Sequence, residues 1–215
     1  MSAEKTTGRV EAFSDGVFAV AITLLVLDIK VPPLQPANPA FSLGHELLAE
    51  WPAYLASVMS FLTILIMWIN HHRVFGLIQR TDDRFMILNG LLLLCITIVP
   101  FSTSLLAAYI RLPDARLATL VYAGTCLLMA LCFNSLWRYA ARDGRLLDRD
   151  HDSAVAEGIT KSYRFGPTLY VVVFCLAFVS VAASVGLSLL LALFFTIPPR
   201  KHVELATRSK RVSGE

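Results

Sequence analysis

Charge is scarce in this chain. Asp, Glu, Lys and Arg make up 16% of its 215 residues, whereas a soluble domain carries about 25%. The four cysteines, Cys95, Cys126, Cys132 and Cys175, all fall inside apolar runs. None forms a CxxC pair or neighbours a histidine, so spacing argues against a zinc site or a disulfide framework. Buried structural thiols are expected instead. No TVGYG-like segment is present, which excludes the usual carbonyl filter for potassium. No carboxylate pair or nucleophile–base arrangement stands out, so neither an enzyme nor a bound cofactor is expected. No small-residue cleavage site follows the first apolar run, which Asp28–Lys30 closes, so no cleavable signal is expected.

Hydrophobic residues are abundant. They make up 56% of the chain, and the mean hydropathy is +0.62. The charges are segregated between long apolar runs, which reads as an integral membrane protein built from helices of roughly 20 residues. Six spans are expected: Glu11–Val31, Trp51–Ile69 with its helix continuing through His71–Phe75, Phe85–Tyr109, Leu117–Trp137, and two tight helices within Phe165–Pro198. The last two would turn near Ala183–Gly186. A Pro-rich loop follows the first span, and Arg138–Ser162 reads as a polar helix and turn. Residues 1–199 form one transmembrane unit, and 200–215 a basic cytosolic tail.

The basic residues set the orientation. With both termini inside, sixteen Lys and Arg lie in inner segments and three, Lys30, Arg111 and Arg116, in outer ones. This is a strong positive-inside bias. It places a multi-pass protein in a cell membrane, in contact with lipid, and implies no nucleic acid partner.

The first span carries Arg9, Ser14 and Asp15 near its start and Asp28 near its end. An acid within a span costs about 2.5–3.5 kcal/mol on insertion scales, so Asp15 needs a partner or water. At about 100° per residue, Phe13, Val17, Val20, Leu24, Leu27 and Val31 share one stripe, with Gly16 and Thr23 on its edge and Asp15 about 140° from Val20. The second span ends on the same side with Trp68, Asn70, His71, His72 and Arg73. A network of Asp15 with Arg9, Asn70 and His71 would satisfy these groups. Two roles stand open for it, a structural clamp between helices or a proton or ion site. The stripe likewise reads as helix packing or as a pore lining, and Thr23 as a hydroxyl bonded to its own backbone. Pro100 interrupts the ladder of the third span, where Ser102 and Thr103 can satisfy the freed carbonyl.

RVEAFSDGVFAVAITLLVLDI resembles the first helix of the prokaryotic branch of the transmembrane protein 175 family of potassium channels. The signature is Arg-x-x-x-Phe-Ser-Asp, here Arg9, Phe13, Ser14 and Asp15. Trp68–Phe75 and Ile98–Tyr109 are similar to the family's second-helix end and third-helix Pro-Phe-x-Thr stretch. The resemblance implies an all-α homotetramer with helix 1 of each subunit lining a central pore for potassium and other monovalent cations. It implies that Val20, Leu24 and Leu27 form a hydrophobic constriction and that Thr23 is the hydroxyl bearing on selectivity. Arg9, Phe13, Ser14, Asp15, Trp68, Asn70 and His71 would form the packed motif network. Val20 is a departure, since relatives often have Ile there.

Two further functions compete on the residues alone. A proton- or ion-coupled transporter would use Asp15 and His71. A metal enzyme would need His71, His72 and His45 together, but adjacent histidines diverge by about 100° on a helix.

Overall fold

A computed structural model describes residues 3–32, 42–147 and 153–196. Among them the chain forms seven α-helices: α1 (Ala3–Leu24), α2 (Leu43–Ala49), α3 (Trp51–Phe75), α4 (Asp83–Tyr109), α5 (Ala115–Ala141), α6 (Ser153–Val179) and α7 (Val181–Thr196). A tighter helical turn, Leu25–Asp28, extends α1. Most of the Pro-rich loop and the basic tail at 200–215 lie outside the described residues.

Five helical segments are long and apolar enough to cross a membrane: Thr7–Asp28, Trp51–Phe75, Asp83–Tyr109, Ala115–Gly144 and Gly158–Val179. The chain is thus a multi-pass α-helical membrane protein. At 1.5 Å per residue, α7 spans roughly 24 Å, less than the ~30 Å hydrocarbon core.

Three boundaries differ from expectation. Helix α1 begins at Ala3 and ends at Leu24, so the α-helical wheel does not reach Val31. The described part of the polar segment after α5 supplies a turn and then the first turns of α6. The break in the last apolar block falls at Ser180, ahead of Ala183–Gly186. Ser180 starts α7, its Oγ accepting from Ala183 N–H at 3.2 Å, the usual work of a helix-capping serine. Chain reversal there is shown by Ser184 Oγ, which donates to Val173 C=O at 2.9 Å. In a continuous helix those residues would stand about 16 Å apart.

Pro100 lies within α4 without ending it. The hydroxyls of Ser102 and Thr103 both donate to Val99 C=O, at 2.9 and 2.8 Å, and not to Ile96 C=O, the carbonyl that a proline at 100 leaves free. Thr103 Oγ1 also lies 2.6 Å from Ser60 Oγ, which donates to Tyr122 OH at 3.2 Å. This chain of hydroxyls joins α3, α4 and α5 where all three groups are buried.

The largest core gathers Phe18, Ala21 and Leu25 of α1 with Ile64, Leu92 and Ile96. Helices α5 and α6 approach closely at Gly124, where an added Cβ would meet Phe174 Cε2 at 3.4 Å.

Candidate functional site

Helix α1 has two unlike faces. Ser14, Phe18, Ala21 and Leu25 are buried against α3 and α4, a 4-3-4 spacing that keeps one side of a helix inward. On the other side Phe13 is 67% exposed, Val20 57%, Leu24 42% and Leu27 72%. Thr23 is exposed with them, and its Oγ1 donates to Val20 C=O at 2.9 Å. Val17 is half-buried against the core. The fold therefore leaves most of the apolar stripe of its first helix bare.

The opposite side is anchored by polar groups. Asn89 Nδ2 donates to Ser14 Oγ at 2.9 Å, and Ser14 Oγ donates to Val10 C=O at 2.8 Å. Asn89 Oδ1 lies 3.0 Å from His71 Nε2. Asn89 Nδ2 points to Ser14, which turns the carbonyl oxygen Oδ1 to His71; Oδ1 can only accept, so His71 carries its proton on Nε2. His71 Nδ1 is buried with no hydrogen-bond partner. Its ring stacks on Phe75 at 4.3 Å and tilts against Phe18 at 5.3 Å. The chain Val10–Ser14–Asn89–His71 thus ties α1, α4 and α3 together inside the bundle.

A second tie lies nearer the surface. Trp68 Nε1 donates to Asp15 Oδ1 at 2.9 Å. One turn away, His72 Nδ1 lies 3.0 Å from Glu11 Oε1. Residues 11 and 15 on α1 face 72 and 68 on α3, the register of an antiparallel pair. Trp68 and His72 stack at 5.9 Å.

The network's membership differs from the one the sequence suggested. Asp15 meets Trp68, not Arg9, Asn70 or His71. Arg9 is exposed and forms no ion pair among the described residues, because six residues turn it about 120° from Asp15. Asn70 turns about 160° from Trp68 on the wheel, and its Oδ1 accepts from Tyr163 OH on α6 at 3.3 Å. Asn89, Glu11 and His72 were not singled out as members. Asn89 is an amide within an otherwise apolar stretch in the first half of α4, a signal available in the sequence.

At the far end of α1, Ser104 Oγ donates to Asp28 Oδ1, and Ser57 Oγ donates to Leu25 C=O at 3.4 Å. Asp28 Oδ2 is buried without a partner. His71 is buried while His72 and His45 are exposed, and among the described residues no cluster of three His, Cys, Asp or Glu could hold a metal ion. The cysteines depart from expectation in two respects. Cys175 is exposed, and Cys95 Sγ lies 3.9 Å from Cys132 Sγ across α4 and α5, a meeting that their spacing in the chain conceals.

Membrane-length helices, clasped around a first helix with one anchored and one bare face, define a multi-pass α-helical membrane protein with no catalytic constellation among the described residues. Residues 9–100 match the family model described as endosomal/lysosomal potassium channel TMEM175. A potassium channel of Chamaesiphon minutus is 53% identical over 194 residues, covering 90% of this chain and 95% of that protein. A potassium channel of Streptomyces collinus is 45% identical over 190 residues, covering 88% and 91%. Among solved structures, a lysosomal potassium-selective channel TMEM175 homolog from Chamaesiphon minutus superimposes with a TM-score of 0.81 at 52% identity, over 89% of this chain and 97% of that one. The chain belongs to the TMEM175 family, whose members are ion channels and not enzymes.

Proposed function

We propose that this protein is a potassium-permeable cation channel of a cell membrane, assembled as a homotetramer with α1 of each subunit around the central axis. One observation carries the reading: the apolar stripe of α1 is bare in the subunit, while the reverse face is held by Asn89, Trp68 and the core. Closed cyclic symmetry turns one such stripe into a ring. Val20, Leu24 and Leu27 then form a hydrophobic constriction, which controls ion passage by dewetting. Thr23, at the same level, offers the hydroxyl that bears on potassium against sodium. Selectivity is modest, since no dense cage of oxygens replaces the ion's hydration shell.

The motif groups serve as a clamp. Asp15 and the Ser14–Asn89–His71 chain are engaged in bonds between helices, which holds α1 at a fixed rotation. Both termini face the cytoplasm, in keeping with the charge bias. Residues 1–199 act as the channel subunit and 200–215 as its basic tail.

The test is flux from liposomes holding the purified protein, with Leu24→Ala alongside. Passive flux favouring potassium and rising in the variant is expected. Flux that requires a proton gradient and ignores Leu24→Ala would instead support a coupled carrier using Asp15 and His71.

A further inference from the structure

At the end of the bundle that carries the start of α1, loops from distant parts of the chain meet. Ile78 bridges to Leu147, and Leu146 C=O accepts from Gln79 N–H at 3.0 Å and Arg80 N–H at 3.3 Å. Asp143 and Gly144, at φ 56° and 63°, make the left-handed turn that brings Arg145–Leu147 back. Such angles are tolerated by Asp and natural for Gly.

This strap sets Arg145 beside Tyr139, with Arg84 close enough to act on the same hydroxyl. Arg145 stands over the Tyr139 ring at 5.3 Å. Arg84 lies two residues after Asp82 and next to Asp83; Asp82 Oδ2 accepts from Tyr139 OH at 2.6 Å. Asp82, whose other oxygen accepts from Phe85 N–H at 2.8 Å, is one negative charge set against two arginines, Arg84 and Arg145. Arg73, Arg80, Arg84, Arg138, Arg142 and Arg145 are all exposed here. Among the described residues only Arg142 pairs with an acid, Asp143, at 3.8 Å.

Depth and shape indicate what fits. Arg84 lies one residue inside the membrane-length segment Asp83–Tyr109, and Arg145 one residue beyond Ala115–Gly144, so both mark ends of membrane-length segments, where a bilayer would place its headgroups. Below Arg84, at helical spacing on α4, Ile87, Leu91 and Leu94 are exposed, a track for an acyl chain. Guanidinium groups match phosphate oxygens with two parallel hydrogen bonds.

We propose that Arg84 and Arg145, flanking Tyr139, bind the phosphate of an anionic phospholipid whose acyl chain lies along Ile87, Leu91 and Leu94. Basic sites between helices on the cytoplasmic side are suited to anionic headgroups. The lipid would hold α4 against the loop after α5, and α4 carries Asn89, the residue that anchors α1.

The test is retention of lipid by the full chain in native mass spectrometry, after equilibration with equal phosphatidylglycerol and phosphatidylcholine. Wild type is expected to retain phosphatidylglycerol preferentially. An arginine near an anionic surface contributes about fivefold, so Arg84→Gln with Arg145→Gln should weaken retention roughly 25-fold. Arg116→Gln, the loss of a single charge at the other end, should leave retention unchanged. Equal retention of both lipids by wild type would overturn the proposal, even if the double variant failed to fold. So would an equal loss in Arg116→Gln, or displacement by soluble glycerol phosphate.

Discussion

Asn89 on α4 donates to Ser14 on α1 at 2.9 Å, in the buried interior of the bundle. Through this bond the helix that bears the bare apolar stripe is held at one rotation about its axis. A turn of α1 by one residue, about 100°, would bury Phe13 or Val20 and expose Phe18. The bond therefore links packing inside the subunit to whatever lines the face outside it.

Asn89→Leu should be strongly destabilising. It leaves His71 Nε2–H buried without its partner, at about 1–3 kcal/mol, and removes the bond that Ser14 Oγ accepts while leaving its own bond to Val10 C=O. A lower melting temperature in detergent, together with loss of assembled oligomer, is the expected outcome. An unchanged melt would remove Asn89 from the anchoring role.

Asp15 separates a clamp from an ion site. Asp15→Asn keeps an oxygen for Trp68 Nε1 and removes the charge, so assembly and ion preference should both persist. Asp15→Ala, without that acceptor, should lower the yield of the proposed tetramer more than it changes selectivity. A well-assembled Asp15→Ala tetramer with altered reversal potential would show that the carboxylate acts on the ion.

If α1 lines the pore as proposed, Leu24→Ala should raise leak by widening the proposed constriction, whereas Leu25→Ala should not. Leu25 is buried against the core, and its truncation should instead cost about 2–5 kcal/mol of stability. Flux and thermal melts measured on both variants check the division between neighbours. Equal effects on flux would argue against the pore assignment of the bare face.

Gly124 faces Phe174 with little room. Gly124→Val should push α6 from α5 and destabilise by about 1–3 kcal/mol, while Gly124→Ala should be much milder. Thermal melts of the two variants should rank in that order.

Acid should weaken the loop that carries Asp82. Burial alone would raise its pKa. The hydrogen bonds from Tyr139 and Phe85, with the charges of Arg145 and Arg84, outweigh that and hold it below the usual carboxylate value near 3.8. A depressed pKa contributes stability above the unfolded value that is lost as pH falls through the folded one. Asp82→Asn should therefore destabilise at neutral pH, and its deficit should shrink below about pH 4. Thermal melts of both proteins across that range would show convergence in acid; a constant deficit would remove the charge from the account.

Much of the fold was legible because lipid imposes strong rules on a chain. A span must be apolar over roughly 20 residues, and its ends are marked by basic residues on one side. Those rules located α3, α4 and α5 to within about four residues at either end, a common margin for helix boundaries. They say less where polarity changes gradually. The first turns of α1 are polar yet helical, since a helix can continue past the hydrocarbon. The break at Ser180 follows from a capping hydroxyl in an otherwise apolar block, where hydropathy is blind.

The candidate site divides in the same way. Periodicity alone assigned Val20, Leu24 and Leu27 to one side of α1 and Asp15 to another, because side-chain direction on a helix is set by residue number. Which neighbours those directions meet was decided only by tertiary packing. Trp68 reaches Asp15 because α1 and α3 run antiparallel in one register, Asn70 turns instead to Tyr163, and Asn89, distant in the chain, enters between Ser14 and His71. The sequence by itself determined that this is a membrane protein whose first helix has an apolar stripe and a polar side. Tertiary structure decided that the polar side is anchored and the stripe left bare, since hydrogen bonds between helices depend on rotation and register that no single helix specifies.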